Sequence, residues 1–306
     1  MLFVKYYLRL ISHNIHMILK APKKRFLYTI ILFSVCLLTA MLGRGVSAKA
    51  MPFYSLSPKF LTIRSSFSTD YQSSSPERKS NISLAAKSID GYILDIGGEF
   101  SFNRVVGDRT QKRGYKQAKI IVGGEFVDGV GGGVCQVSTT LYNAVLLAGL
   151  KVVEYHAHSL PVSYALPSFD AMVNSGTSDL RFINDTKNPI IIRARADGNK
   201  LTVKIVGEPL KVEYRLESKT ISKIPAPEYI VIKDEKGDYP DLYEGEKLYL
   251  SYSKDGIKSQ GYIETYKDGK KISTRLLRRD TYSAVQGKVI IGTTPRPTLN
   301  NIEEIE

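Results

Sequence analysis

Cys135 is the residue of this chain with the clearest chemical potential, because it lies where a glycine-rich loop meets a helix. Three consecutive glycines, Gly131, Gly132 and Gly133, come just before it, and glycine lets a backbone turn sharply or approach a ligand closely. Apolar residues then recur at steps of three and four, which predicts a helix that ends near Gly149. Free N–H groups and the positive dipole end at a helix start favour a thiolate and could stabilise an oxyanion. A small buried core residue is the other interpretation.

Two further residues could complete a catalytic set with Cys135. His158 ends a predicted strand that begins at Lys151, and Asp179 begins the next predicted strand. A cysteine, a histidine and an acid in this order are typical of acyl-transfer chemistry, such as amide cleavage or transpeptidation on a peptide. Gln136 or the backbone N–H groups of the loop would then stabilise the oxyanion. The alternative is that His158 makes only a structural hydrogen bond.

A metal site is a second possibility for the same region. Cys135, His156, His158 and Asp170 are suitable ligand types, and the two histidines would share one face of the predicted strand. Their spacing fits no metal-binding motif. We therefore predict no metal and no cofactor.

The turn at Gly107 carries a separate pair of charges. Asp108 and Arg109 come directly after it, so they could pair with each other or bind an anion. A solvated turn is the other interpretation.

The charge distribution sets the first 50 residues apart from the rest. Net charge is +13, and eight Lys and Arg residues lie in residues 1–50, which hold no Asp or Glu. This placement does not favour a nucleic-acid partner, and we predict none. The basic lead precedes an apolar run, Phe26–Gly43, which is borderline for a membrane span and predicts export of the rest of the chain. Residues 1–50 are thus predicted to be a signal peptide, cleaved or retained as an anchor, and the sole contact with the membrane.

The remainder predicts an α+β fold followed by a β-rich part. A first domain is expected at residues 51–207, with the Cys135 helix packed on an antiparallel sheet. A small all-β domain is expected at residues 208–293, where strand-like runs are separated by Lys-Asp-Gly turns, and a flexible tail at 294–306. The predicted elements are a helix at Asn81–Ile93 and strands at Phe60–Phe67, Ala118–Val127 (with a hairpin signal at Gly123-Gly124), Lys151–His158, Asp179–Asn184, Pro189–Arg195 and Lys200–Val206.

Several runs resemble known families. The runs Ile96–Asn103, Gly131–Ala144, His158-Ser159, Asp170-Ala171 and Asp179–Asn184 resemble the VanW family, which is associated with bacterial cell envelopes and whose founding member belongs to a glycopeptide-resistance cluster. That resemblance implies no particular activity. Arg278–Tyr282 and Val289–Thr293 resemble the end of a G-five domain. Such domains recur on surface proteins and wall enzymes and are proposed to bind N-acetylglucosamine-type sugars.

These resemblances imply an exported bacterial envelope protein whose partner is peptidoglycan or another wall glycan. Two hypotheses remain: a non-catalytic factor for wall binding, maintenance or synthesis, and a cysteine-dependent acyl-transfer enzyme acting on stem peptides. The enzyme needs a reachable Cys135 of low pKa within hydrogen-bond range of His158. Tyrosines of the C-terminal part could stack on sugars, although cross-strand packing explains them equally well. The predicted substrate-binding residues are Gly131, Gly132, Gly133, Gln136, Tyr262 and Tyr282.

Overall fold

The computed structural model describes residues 62–122 and 125–296. The predicted signal or anchor, including Phe26–Gly43, and most of the predicted tail lie outside the described residues. Within the described ranges, no helix is both long enough and apolar enough to cross a membrane.

The first helix begins where a short polar side chain caps it. Helix α1 (Pro76–Ile89) begins after Ser75, whose Oγ accepts a hydrogen bond from the N–H of Arg78. Proline suits the first helical position because its missing N–H would have no partner there. The helix predicted at Asn81–Ile93 therefore starts too late, because its apolar period alone does not reveal this Ser-Pro start signal.

Two more helices position the candidate site. Helix α2 (Phe102–Val106) is short and begins after Ser101, whose side chain accepts the N–H of Arg104. Helix α3 (Val134–Leu147) carries Cys135 in its first turn, as predicted.

The described strands of the N-terminal part are β1 (Thr62–Asp70), β2 (Ile93–Leu94), β3 (Glu99–Ser101), β4 (Gln117–Val122), β5 (Glu125–Val130), β6 (Lys151–Glu154), β7 (Arg181–Ile183), β8 (Ile190–Ala196) and β9 (Lys200–Gly207). They form two antiparallel sheets, of order β1-β9-β8-β2 and β3-β7-β6, and a separate two-stranded hairpin, β4–β5. The hairpin predicted around Gly123-Gly124 is thus present, and β8 and β9 form a second hairpin that turns at Asp197-Gly198.

Helix α3 is buried on nearly all sides, and its polar residues are hydrogen-bonded rather than exposed. Ser65 on β1 donates to the carbonyl of Ala144 at 2.6 Å, and Thr69 pairs with Thr140 at 2.8 Å. Asn143 donates to the carbonyl of a facing loop residue. These bonds fix the rotation of the helix, which a purely apolar stripe would leave less defined.

The described residues of the C-terminal part form strands joined by turns and irregular segments, with no helix, in agreement with the β-rich domain that was predicted. One sheet has the order β10-β13-β14 and a second has the order β11-β15-β12. Asp268 and Gly269 both have positive φ in the turn between β13 and β14, as a tight hairpin requires. The α+β class followed by a β-rich part is thus confirmed. The strands are β10 (Glu213–Ile224), β11 (Ile230–Lys233), β12 (Lys247–Ser251), β13 (Gly256–Lys267), β14 (Lys270–Tyr282) and β15 (Lys288–Ile291).

Candidate active site

The glycine loop allows neighbouring elements to close around the start of α3. A Cβ on Gly132 would lie 2.7 Å from the carbonyl oxygen of Lys119, and one on Gly133 would lie 2.9 Å from the side chain of Ile82. Gly133 also has a φ of +107°. The glycines are buried, so close packing is their first role, although Gly131 and Gly133 also line a groove beside the thiol.

His158 lies between Asp170 and Cys135. Nδ1 of His158 lies 2.7 Å from Oδ2 of Asp170, which also accepts the backbone N–H of His158 at 2.6 Å. This contact leaves Nε2 as the ring nitrogen that can face Cys135, and each of the two side chains shifts the pKa of the other. Sγ of Cys135 lies 3.4 Å from the carbonyl oxygen of Val173. Cys135 is a free, half-buried thiol, whereas His158 and Asp170 are buried.

The electrostatics around Cys135 and His158 favour an ion pair between these two side chains. Burial lowers the pKa of His158, but hydrogen bonds and charge from Asp170 and Cys135 outweigh it and raise that pKa to about 9. Burial raises the pKa of the Cys135 thiol, but the hydrogen bond and charge of His158, the contact with Val173 and the charge of Arg109 bring it below its usual value. The two shifts have the same consequence, because each favours the charged form of its side chain, thiolate for Cys135 and imidazolium for His158.

Asp179 is not the acid beside His158, contrary to the sequence prediction. It accepts hydrogen bonds from Ser101 at 2.5 Å and from the backbone N–H groups of Asn103 and Leu180 at 2.8 Å each, so it caps α2. The position predicted for it is taken by Asp170, which lies on a loop rather than on a strand.

The predicted strand through His158 also ends earlier, because β6 stops at Glu154. The two histidines therefore do not share a strand face: His156 is half-exposed and contacts Glu154 at 3.0 Å, while His158 is buried. In the described residues, no group of three or more His, Cys, Asp and Glu is placed to hold a metal ion.

Gln136 is a structural residue in this fold. Its Nε2 donates to Thr69 at 3.1 Å and to the carbonyl of Asp70 at 2.8 Å, and its Oε1 accepts from Arg78 at 3.0 Å. Both amide hydrogens are used, which removes it as the predicted oxyanion donor. The backbone N–H groups at the start of α3 remain the predicted donors.

Two residues from β14 in the C-terminal part hold Asp170 from the other side. Tyr282 donates its hydroxyl to Oδ1 of Asp170 at 2.6 Å, and Arg278 donates to the carbonyl oxygen of Asp170 at 2.7 Å and lies 3.4 Å from Oδ1. Arg278 also pairs with Asp280 at 2.7 Å. Tyr282 is fully buried, so it presents no face for the sugar stacking predicted for it.

The bend that presents Asp170 is held by the same C-terminal part. Ser168 has a φ of +64°, a conformation that L side chains rarely adopt. Its N–H donates to the hydroxyl of Tyr282 at 2.7 Å, and its Oγ pairs with Ser259 at 2.7 Å. A Cβ on Gly261 would lie 2.9 Å from the carbonyl oxygen of Ser168, so glycine is needed for this close approach. The strained bend persists because β13 and β14 enclose it.

Cys135 and His158 open onto a groove of about 1360 Å³. Residues 130–136, 158–164 and 172–175 contribute to its N-terminal side, and residues 250–255 and 283–288 to its C-terminal side. Tyr252 is 65% exposed there, and its ring stacks on Tyr249 with centroids 5.3 Å apart. Tyr262, which was predicted to bind substrate, is half-buried, hydrogen-bonds Gln260 and is not part of this lining. Tyr252 is one of the C-terminal tyrosines that could stack on sugars, but the predicted substrate-binding tyrosines were Tyr262 and Tyr282.

Comparison with known families agrees with this division of the molecule. The family described as "VanW like protein" matches residues 77–206, and the G5 domain matches residues 218–294. The chain therefore carries a VanW-like domain followed by a G5 domain, as the resemblances predicted. G5 domains occur in cell-surface proteins. The first match contains Cys135, His158 and Asp170, and the second contains Arg278 and Tyr282.

Two curated relatives are similar to the chain over part of its length. The uncharacterized protein YoaR of Bacillus subtilis (strain 168) is 45% identical over 158 residues, which are 51% of this chain and 52% of that protein. The vancomycin B-type resistance protein VanW of Enterococcus faecalis (strain ATCC 700802 / V583) is 30% identical over 126 residues, 40% and 46% of the two chains. The chain thus spans about half the length of these relatives.

Two solved structures also match. The G5 domain of IgA1 protease is 23% identical, with a TM-score of 0.17, and the match covers 28% of this chain and 95% of that one. HP0197-G5 is 22% identical, with a TM-score of 0.15, and the match covers 26% and 99%.

Proposed function

We propose that this protein is a cysteine-dependent acyl-transfer enzyme that acts on peptide stems of the bacterial cell wall. The observation that carries the proposal is the placement of Cys135, His158 and Asp170 beside a groove of about 1360 Å³. An enzyme of this kind requires a reachable thiol whose pKa is lowered by His158, and the lowered pKa of Cys135 and its place in the groove lining support the proposal. The G5 domain and the name of the enterococcal relative support a site at the cell envelope. Export through the N-terminal segment belongs to the same proposal.

The geometry supports a two-step reaction. The Cys135 thiolate attacks the carbonyl carbon of an amide, and the backbone N–H groups at the start of α3 stabilise the oxyanion that forms. The C–N bond then breaks as the His158 imidazolium gives its proton to the leaving amine, which leaves a thioester on Sγ. Neutral His158 next takes a proton from water or from an acceptor amine, which attacks the thioester and releases an acid or a new amide. Asp170 keeps Nδ1 of His158 protonated and the ring oriented throughout.

Loss of the thiol tests the enzymatic proposal. The full chain and its Cys135→Ser variant are incubated with purified peptidoglycan fragments, and the products are followed by liquid chromatography and mass spectrometry. We expect turnover to fall by about 10³-fold or more, because no other group replaces the nucleophile. Ser138→Ala, a change in the next turn of the same helix, is the control for the fold of α3. Equal turnover by the wild type and Cys135→Ser would end the proposal.

Binding of wall glycan is a second candidate function, favoured by the exposed Tyr252 on the C-terminal wall of the groove, whose ring stacks on that of Tyr249. Stacked aromatic rings offer the flat apolar surface on which sugar rings pack. Retention of the full chain on purified peptidoglycan should weaken about threefold to tenfold in Tyr252→Ala. Tyr262→Ala, which removes a tyrosine outside the groove, should leave retention unchanged. Equal retention by both variants and the wild type would count against this function.

A further inference from the structure

Two arginines line the groove beside the thiol without an acidic partner among the described residues. Arg109 donates to Oδ1 of Asn103 at 2.6 Å and to Oγ of Ser175 at 3.0 Å. Arg78 donates to the amide oxygen of Gln136 at 3.0 Å. The pairing of Asp108 with Arg109 that the sequence allowed does not form: the contact of Asp108 is between its carbonyl oxygen and Arg113.

Arg109 is held firmly next to the nucleophile. Its guanidinium lies over the ring of Phe102, with Cζ 5.8 Å from the centroid. Its Cβ would be only 3.0 Å from a Cβ on Gly131, so the first glycine of the loop makes room for it. Partial burial lowers the pKa of Arg109, and the charges of Cys135, Tyr115, Asp179 and Asp108 oppose that shift. The direct hydrogen-bond partners of Arg109 are neutral oxygens, so a bound anion would stabilise this half-buried cation further.

The other charged residues of the groove also favour a negatively charged ligand. Its lining holds five Lys and Arg residues against two acids, Asp70 and Asp255. Each of these acids accepts a backbone N–H, from Gln72 at 2.9 Å and from Ala226 at 3.0 Å. The groove therefore attracts negatively charged substrates.

We infer that Arg109, assisted by Arg78, binds a carboxylate of the peptide substrate close to the scissile amide. This inference rests on the proposed function, because it names the substrate class of the same groove. A guanidinium offers a planar pair of N–H donors that matches a carboxylate, and its remaining donors hold Asn103 and Ser175. The carboxylate is supplied either by the C-terminus of the peptide or by an acidic side chain.

Binding tests the inference independently of turnover. The Cys135→Ser full chain is titrated calorimetrically with a wall-stem peptide that has a free C-terminus and one glutamate. Two matched peptides replace the C-terminal carboxylate by an amide or the glutamate by glutamine. We expect one replacement to weaken binding about tenfold to a hundredfold, which identifies the carboxylate that is bound. Equal affinities for all three peptides would overturn the inference.

Variants then locate the contact. Adding Arg109→Gln should remove the preference for the charged peptide, and Arg109→Lys should reduce it, because an ammonium retains the charge but lacks the paired donors. Arg193→Gln, on an exposed strand position that pairs with Asp90, should retain the full preference. If Arg109→Gln does not fold, Arg109→Lys and Arg78→Gln decide the question. If both variants keep the full preference for the charged peptide, neither arginine binds the carboxylate. Turnover of the same peptides by the chain with Cys135 intact tests the proposed function separately.

Discussion

Replacing Asp170 by asparagine should weaken the thiolate–imidazolium pair without removing either of its members. Asparagine has nearly the same volume, but it has no charge and only one side-chain oxygen, so it can accept from His158 or from Tyr282 but not from both. His158 would then be a buried imidazole with less support for its proton. We expect its pKa to fall from about 9, and the thiol to lose part of the charge that keeps its own pKa low.

The size of the change follows from the contact at 2.7 Å between Nδ1 and Oδ2. A hydrogen bond to a charged group contributes about 1.5–3 kcal/mol, and one pH unit corresponds to about 1.36 kcal/mol. The upper limit of the pH range in which His158 is protonated should therefore move down by roughly one to two units. Because the charge of His158 stabilises the Cys135 thiolate, a less stable imidazolium leaves less thiolate. The rate of thiol alkylation near pH 6 should therefore fall about tenfold.

The assay is the rate of iodoacetamide alkylation against pH, read by mass spectrometry of the peptide containing Cys135, which separates it from Cys36. Asp179→Asn is the matched control, since that carboxylate also accepts several hydrogen bonds but does not contact His158. The control should have the wild-type profile, and both variants should show cooperative thermal unfolding. Identical profiles for the wild type and Asp170→Asn would refute the electrostatic reasoning.

Two more predictions concern the support of Asp170. Tyr282→Phe removes the hydroxyl bonded to Asp170 and to the N–H of Ser168, so the free energy of unfolding in denaturant should fall by about 2–4 kcal/mol. The control, Tyr266→Phe at a half-buried site, should lower it by less than about 1 kcal/mol. Equal losses would contradict the role of Tyr282 in supporting Asp170. Gly261→Ala brings a methyl group against the backbone of Ser168, so stability should fall by about 1–3 kcal/mol and alkylation of the thiol near pH 6 should slow; an unchanged alkylation rate would show that the bend does not position the acid.

Local features of the site could be predicted from the sequence, because they depend on neighbouring residues. The start of α3 at Cys135 was predictable from three glycines and an apolar period. Hairpins were predictable from Asp197-Gly198 and similar pairs, which fix a turn over a few residues. Turn signals of this kind also predicted the β-rich C-terminal part. The α+β class was predicted from these local signals alone.

The acid of the site could not be chosen by local reasoning. Asp179 was favoured because it begins a predicted strand, whereas Asp170 lies on a bend whose shape depends on residues more than 90 positions away. The hydrophobic period and the secondary-structure propensities of a sequence carry no information about such long-range contacts. The signals were nonetheless present, since Asp170, Arg278 and Tyr282 all lie in runs that carried the family resemblances. The sequence did not show that these three residues contact one another. That contact arises only where β14 packs against the loop that carries Asp170.

The buried link from Arg278 and Tyr282 to Asp170 has a consequence for engineering. A foreign domain fused after residue 207 would leave the Asp170 carboxylate without these two hydrogen-bond donors, so the proposed acyl-transfer activity should be lost even if both halves fold. Chimeras should regain that activity only when the incoming domain places a guanidinium and a phenol at matching positions.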